Sequence, residues 1–175
     1  KISFFMLRLM QGRVPTMDKL ARFGLCGPSR CWCCQEPQEE SLEHVFCSGE
    51  GARTLWRYFE IHSGEMAGVH TLRHMAGLWW LRRGSNEFLR FVFRIIPSVI
   101  CWELWKARNQ GMFEGQRIRG RNMVNRVVQV LVEICQARFP MLRCADASWE
   151  GLVREMTCRQ ERWIIRTVHW VMPQG

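Results

Sequence analysis

Aspartate is nearly absent from this sequence of 175 residues. The two aspartates, Asp18 and Asp146, are far apart, and Tyr58 is the only tyrosine. Polymerases and nucleases that use paired metal ions hold those ions with clustered carboxylates. The chain also lacks a glycine-rich Walker loop and a Gly-x-Ser-x-Gly motif. We therefore expect no enzymatic activity and no small-molecule substrate.

Long apolar runs are missing as well, since none reaches the ~18 residues that a membrane span requires. Hydrophobic residues nevertheless make up 47% of the chain, which suffices for a core and argues against disorder. The nine cysteines are an odd number, which fits a reducing compartment better than a disulfide framework. We therefore expect an intracellular location, in nucleus or cytoplasm, with no membrane partner. Because the chain begins with Lys1, we expect a fragment or a processed product.

Lysine is rare, because twenty-two of the twenty-five basic residues are arginine. Residues 66–175 hold seventeen basic and eight acidic side chains, whereas residues 1–65 hold eight of each, so the net charge of +9 lies after residue 65. Guanidinium groups pair with phosphate oxygens and stack on bases, so this excess predicts DNA or RNA as a partner. The alternative is a solvated helix surface or pairing with glutamate. The candidate contacts are Arg82, Arg83, Arg117, Arg119 and Arg121.

Four potential metal ligands stand in two local pairs in the N-terminal third. Cys31, Cys34, His44 and Cys47 have the spacing Cys-x2-Cys-x9-His-x2-Cys. A structural Zn²⁺ site takes four Cys or His ligands in a tetrahedron. One helical turn would place His44 and Cys47 on the same face. The pattern predicts a small structural zinc knuckle.

Other roles for these residues stay open. Free cysteine behaves as a small apolar core residue, so the cysteines could pack without a metal. Cys26 is a further candidate for the fourth ligand, whereas Cys33 is left out because it adjoins Cys34. A nucleophile pair of Cys34 and His44 is the catalytic alternative, but a thiolate also needs an orienting third group.

Apolar residues recur at spacings of three and four along most of the chain, which is typical of amphipathic helices. The clearest stripe lies within residues 124–135. Pro97 is expected to kink a helix or to begin a new one. Alternation from Trp163 predicts a short C-terminal strand. The sequence thus predicts a mostly α fold with about seven helices and a small zinc knuckle near the N-terminus.

The loop expected near residues 62–70 coincides with the change in charge, so we place a subdomain boundary there. The predicted parts are a zinc-knuckle helical region at 1–65, a basic helical region at 66–162 and an extended segment at 163–175.

Several short motifs occur in a fixed order around the predicted knuckle. They are Lys1-Ile2-Ser3-Phe4-Phe5, Arg13-Val14-Pro15-Thr16 with Leu20, Cys31-x2-Cys34, Glu40-Ser41-Leu42-Glu43-His44-Val45-Phe46 and Leu55-Trp56. This set resembles the zinc-binding region of plant LINE-type (non-LTR) retrotransposon reverse transcriptase polyproteins. The resemblance covers about residues 1–60. It continues more loosely through Pro97, Trp102-Glu103-Leu104-Trp105-Lys106-Ala107-Arg108-Asn109 and Phe113-Glu114-Gly115.

The resemblance implies a position between a reverse transcriptase and an RNase H domain. It implies that residues 168–175 lead towards the first RNase H strand, whose carboxylate would lie beyond Gly175. The family usually places its last zinc ligand five residues after the histidine, where this chain has Gly49. Either Cys47 substitutes for that ligand or the site is incomplete.

Two functions are compatible with these features. The first is a non-catalytic accessory region, derived from a retrotransposon polyprotein, that binds Zn²⁺ and nucleic acid. The second is a host-retained protein-interaction module, bound by a cellular or pathogen protein. Its candidate anchors are Trp79, Trp80, Trp102 and Trp105. The two hypotheses differ in whether the five candidate arginines share one open face.

Overall fold

Helices form the regular structure of the residues that the structure describes. A computed structural model describes residues 1–25, 27, 30–36, 38–61, 71–117, 120–142 and 148–155. The elements are α1 (Ile2–Met10), α2 (Met17–Ala21), a π-helical turn (His44–Ser48), α3 (Glu50–Ile61), α4 (Leu72–Leu81), α5 (Glu87–Glu114) and α6 (Gly120–Arg138). Residues 149–155 are also helical. The described ranges contain no strand, which confirms the mostly α prediction; the strand expected from Trp163 lies outside them.

The two N-terminal helices end at the glycines that the sequence indicated. Gly12 has φ +68°, and its N–H donates to Leu9 O at 2.9 Å. The next N–H, of Arg13, donates to Arg8 O at 2.7 Å. This pair of bonds is a Schellman motif, in which a left-handed glycine satisfies the last helical carbonyls. Gly24, with φ +78°, closes α2 in the same way.

The longest element, α5, continues through Pro97. Asn86 caps its start by accepting the N–H of Leu89 at 2.8 Å, and Gly115 ends it in the left-handed conformation. The proline removes one helical hydrogen bond, which costs ~3 kcal/mol. Ile96 and Ile100 beside it are fully buried, and each such side chain contributes about 1.5–3 kcal/mol. Burial therefore outweighs the local cost, and one 28-residue helix continues through Pro97, so the proline does not begin a new helix.

One hydrophobic core joins the helices on both sides of the predicted boundary near residue 65. α5 packs against α1, α4 and α6, while α3 packs against α6 and the π-helical turn. The predicted stripe of α6 faces this core, and Val127 and Leu131 are fully buried. The core extends from Phe5 to Leu152. The zinc-knuckle segment is therefore packed onto the basic helical segment.

Candidate metal centre

The predicted knuckle consists of a loop and the π-helical turn. The N–H of Cys31 donates to Gln38 O at 2.7 Å, which closes the loop on itself. Ser41 Oγ accepts the N–H of His44 at 3.1 Å, as expected for an N-cap. These bonds turn the loop so that its first cysteines face the histidine.

Three potential ligands meet at this point. The ligand atoms of Cys31, Cys34 and His44 all lie within 4.8 Å of one another. Cys34 Sγ is 3.2 Å from His44 Nε2, and it also accepts the N–H of Glu50 at 3.3 Å. Ligands of one tetrahedral Zn²⁺ are roughly 3.5 Å apart, given metal–ligand distances of about 2.0–2.3 Å. The spacing and the two-sulfur, one-nitrogen donor set both fit zinc.

Both thiols of this cluster are protonated when no metal is bound. A hydrogen bond with Cys33 and, to a lesser extent, burial raise the pKa of Cys31 to about 11, although a hydrogen bond with Cys34 opposes them. A hydrogen bond with Cys31, together with burial, raises the pKa of Cys34 well above its ordinary value. Zinc binds the thiolate form, so an arriving ion must displace these protons.

Cys47, the fourth predicted ligand, does not join the cluster. Its sulfur is not within 4.8 Å of all three ligand atoms. The side chain is buried, and burial raises the pKa of its thiol, with the Glu43 carboxylate adding to the effect. Burial raises the pKa of Cys101 in α5, and nearby Cys47 adds to that effect. The sequence predicted a helical turn in which Cys47 shares a face with His44. The observed turn is π-helical, and it moves Cys47 away from that face. Cys26 lies outside the described residues.

Gly49, where the resemblance implies the usual last ligand, lies directly beside the cluster. A Cβ built on Gly49 would lie 3.1 Å from His44 Nε2, so this position points at the metal ligands. The same Cβ would lie only 2.6 Å from His44 O, which accepts the N–H of Gly49 at 2.7 Å. The backbone has therefore closed to a spacing that only glycine permits. The described residues supply three ligands to the cluster.

A buried ion pair fixes the knuckle to α5. The guanidinium of Arg108 donates to both carboxylate oxygens of Glu40, at 2.7–3.2 Å. The two side chains are 3% and 0% exposed. Glu40 Oε1 also accepts the N–H of Met17 at 2.9 Å, so one carboxylate connects α2, the loop and α5. Glu40 and Arg108 both lie in motifs that carry the family resemblance, but helical periodicity gave no signal that they pair.

The five candidate arginines do not form one face in the described residues. Arg82 lies over the rings of Trp79 and Phe93, at 4.9 and 5.6 Å, and burial lowers the pKa of its guanidinium. Arg117 follows the opposite end of α5 and donates to Gln35 O of the knuckle at 3.3 Å. The part of α5 between Phe93 and its C-terminal end is about 30 Å long, so Arg82 and Arg117 lie far apart.

Of the remaining arginines, Arg83 and Arg121 are exposed, and Arg119 lies outside the described residues. The structure thus separates Arg82 and Arg83 from the pair Arg117 and Arg121.

The tryptophans proposed as protein anchors are largely occupied within the fold. Trp79 is fully buried, and Trp102 and Trp105 pack on Phe5 with ring centroids 5.3 and 6.1 Å apart. Trp80 is 40% exposed, and its ring N–H donates to Arg94 O at 3.2 Å. Only Trp80 among the four keeps a substantially exposed ring.

Comparison with known proteins supports the metal centre. The family model described as zinc-binding in reverse transcriptase (zf-RVT) matches residues 1–56, which contain the whole cluster. No curated protein matches the chain, and no solved structure does. Residues 1–56 are thus similar to a zinc-binding region of reverse transcriptases. In the described part of the chain, no helix has both the length and the apolarity needed to cross a bilayer.

Proposed function

We propose that the chain is a non-catalytic, zinc-stabilised accessory region of a LINE-type retrotransposon polyprotein, of plant origin, and that it binds nucleic acid. The observation that carries this proposal is the convergence of Cys31, Cys34 and His44 inside the segment similar to reverse transcriptase zinc-binding regions. The scarcity of aspartate supports a role without catalysis.

The ion would have a structural role in this chain. Cys31 and Cys34 would hold it from the loop and His44 from the π-helical turn, so the ion would cross-link these two segments. A bound Zn²⁺ supplies charge neutralisation for two thiolates, and its binding energy adds to folding stability. The N–H of Glu50 already points at Cys34 Sγ and would stabilise the thiolate form.

The surface beside the knuckle supports contact with nucleic acid. Arg117 lies against the loop through Gln35 O, and exposed Arg121 follows at the start of α6. Arg30 lies over the half-exposed ring of Trp32, 5.6 Å from its centroid. Cations interleaved with an aromatic side chain are typical of surfaces that contact phosphates and bases.

Zinc binding is tested by native mass spectrometry of protein purified without added metal. We expect one zinc per chain, lost in Cys34→Ser and retained in Cys33→Ser. Cys33 is the matched control because its thiol donates to Leu104 O at 3.7 Å and lies outside the three-ligand cluster. Metal-free protein whose stability does not change on adding zinc would contradict the proposal.

Nucleic-acid binding is tested by gel-shift titrations at three salt concentrations. Binding through Z phosphates gives a slope of log K against log salt near −0.7Z to −0.9Z. Replacing Arg117, Arg119 and Arg121 with alanine should flatten the slope by up to about three contacts. Absence of binding near physiological salt, or binding without salt dependence, would favour the protein-interaction function instead.

A further inference from the structure

The neutral charge of residues 1–65 conceals a strong separation of charge. Residues 1–30 hold six basic side chains and one acidic side chain, Asp18. Residues 31–65 hold two basic and seven acidic side chains. The first thirty residues are therefore about as strongly cationic for their length as any part of the chain, although they precede the segment expected to hold the positive excess.

The fold gathers four of these six cations around one groove. A cavity of about 460 Å³ lies between the end of α1 and α2. Its lining includes Arg8, Arg13, Lys19 and Arg22, together with Phe23, and contains no acidic residue. Four cations on one concave surface would repel one another, so the groove favours an anionic occupant.

The positions of these side chains follow from the turn at Gly12. The Schellman bond from Arg13 N–H to Arg8 O brings two arginines of the turn close together. Lys19 Nζ donates to Gly12 O, which holds α2 against the same turn. In the described part of the chain, the guanidinium groups of Arg8, Arg13 and Arg22 make no hydrogen bond or ion pair. Three guanidinium groups are thus available to a ligand.

An exposed aromatic ring borders the cations. Phe23 is 83% exposed, far more than a phenylalanine that serves the core. Phe4, one helical turn before Arg8 on the same face of α1, is 66% exposed. Cations along a groove with accessible aromatic rings are the arrangement that binds single strands, because an unpaired base offers its face for stacking. A duplex keeps those faces inside its stack.

We propose that the groove of Arg8, Arg13, Lys19, Arg22 and Phe23 binds a single-stranded segment of nucleic acid. Arg8, Arg13 and Arg22 contact consecutive phosphates, and Phe23 stacks on a base. The inference rests on the proposed nucleic-acid-binding function, but it assigns a different surface from the arginines around residue 117. The groove also lies outside residues 66–175, which hold the net positive charge of the chain.

The test is fluorescence anisotropy with a labelled oligothymidine and with a duplex of equal length, at three salt concentrations. We expect tighter binding of the single strand. Arg8→Ala/Arg13→Ala/Arg22→Ala should flatten its salt slope by about two, since each single-strand phosphate contact contributes about 0.7. Phe23→Ala should weaken binding roughly fivefold or more without changing the slope.

The matched control is Arg57→Ala/Arg90→Ala/Arg94→Ala, which removes the same charge from exposed positions on α3 and α5. Equal slopes for the two triple variants, or tighter binding of the duplex, would overturn the proposed groove. A third contrary result would be that heparin displaces the oligomer equally well from wild type and from Phe23→Ala, and that Phe23→Ala binds the oligomer as tightly as wild type. These two observations together would indicate a general polyanion site and would also overturn the proposed groove. If the wild type binds no nucleic acid, the proposed function is overturned together with the groove. If binding is lost only in the variant with Arg117, Arg119 and Arg121 replaced, the groove is overturned but the proposed function stands.

Discussion

At the scale of single residues, the Glu40–Arg108 ion pair has both of its side chains buried. Its charges are removed from water, so each depends on the other for compensation. The pair of Arg138 and Glu87 has a similar chemical form, but its side chains are 56% and 71% exposed. Exposed pairs contribute about 0–1 kcal/mol, because water screens the charges. The two pairs therefore provide the same chemistry in opposite environments.

Arg108→Gln should destabilise the protein by about 3–5 kcal/mol, because it leaves the Glu40 carboxylate buried without its cation. Arg138→Gln is the matched substitution at the exposed pair and should cost less than about 1 kcal/mol. Urea unfolding followed by circular dichroism measures both values. A cost for Arg108→Gln similar to that of Arg138→Gln would mean that Glu40 is compensated in another way.

The number of thiol ligands can be measured from the number of protons that zinc binding releases. Cys31 and Cys34 are protonated before binding, so the wild type should release about two protons near neutral pH. Calorimetric titration in buffers of different ionisation enthalpy measures this number. Cys47→Ser should leave it unchanged, because that thiol lies outside the cluster. A decrease of one proton in Cys47→Ser would show that Cys47 moves to complete the site.

At the scale of helices, apolar spacing predicted the position of each helix along the chain better than its type, α or π. The stripe in α6 and the buried side of α3, with Leu55 and Phe59, follow directly from intervals of three and four. The π-helical turn does not follow from them, because it is defined by the backbone bond from Gly49 N–H to His44 O, five residues apart, and apolar intervals of three and four carry no signal for that spacing. That difference decided the metal cluster: the position of Cys47 was predicted for an α-helical turn.

The stripe in α6 also gives a prediction for the helix. Leu131 is fully buried, so Leu131→Asp would place an unpaired charge in the core, cost several kcal/mol and prevent stable folding. Asn125→Asp introduces the same side chain on the exposed face of α6 and should change stability by less than about 0.5 kcal/mol. Thermal melts followed by circular dichroism compare the two. Equal melting temperatures would show that α6 does not pack as described.

At the scale of the whole molecule, the core crosses the boundary that the predicted loop and the change in charge suggested. Phe5 of α1 packs on Trp102 of α5, and Met123 of α6 lies in the same core as Phe46 of the knuckle. Charge distribution is a property of the surface, so it could not reveal which helices share an interior. Glu40 and Arg108 were likewise visible in the sequence, but their contact spans 68 positions and has no periodic signal.

Because this core is shared, the zinc-loaded protein should unfold in one cooperative transition. Tryptophan fluorescence reports mainly the aromatic core, and far-ultraviolet circular dichroism reports all helices, so the two melting curves should coincide. Two separated transitions, one abolished by a zinc chelator, would instead indicate an independent knuckle and support a boundary near residue 65.

The Glu40–Arg108 contact also bears on how such a segment can be inherited. The match to the zinc-binding family model covers residues 1–56, whereas the guanidinium that neutralises Glu40 is supplied from position 108. A recombination event that transferred only residues 1–56 into another chain would leave the Glu40 carboxylate buried in the new protein without its cation. Exchange of the zinc-binding segment between proteins is therefore constrained to junctions beyond α5, or to recipients that already offer a buried cation at the corresponding place.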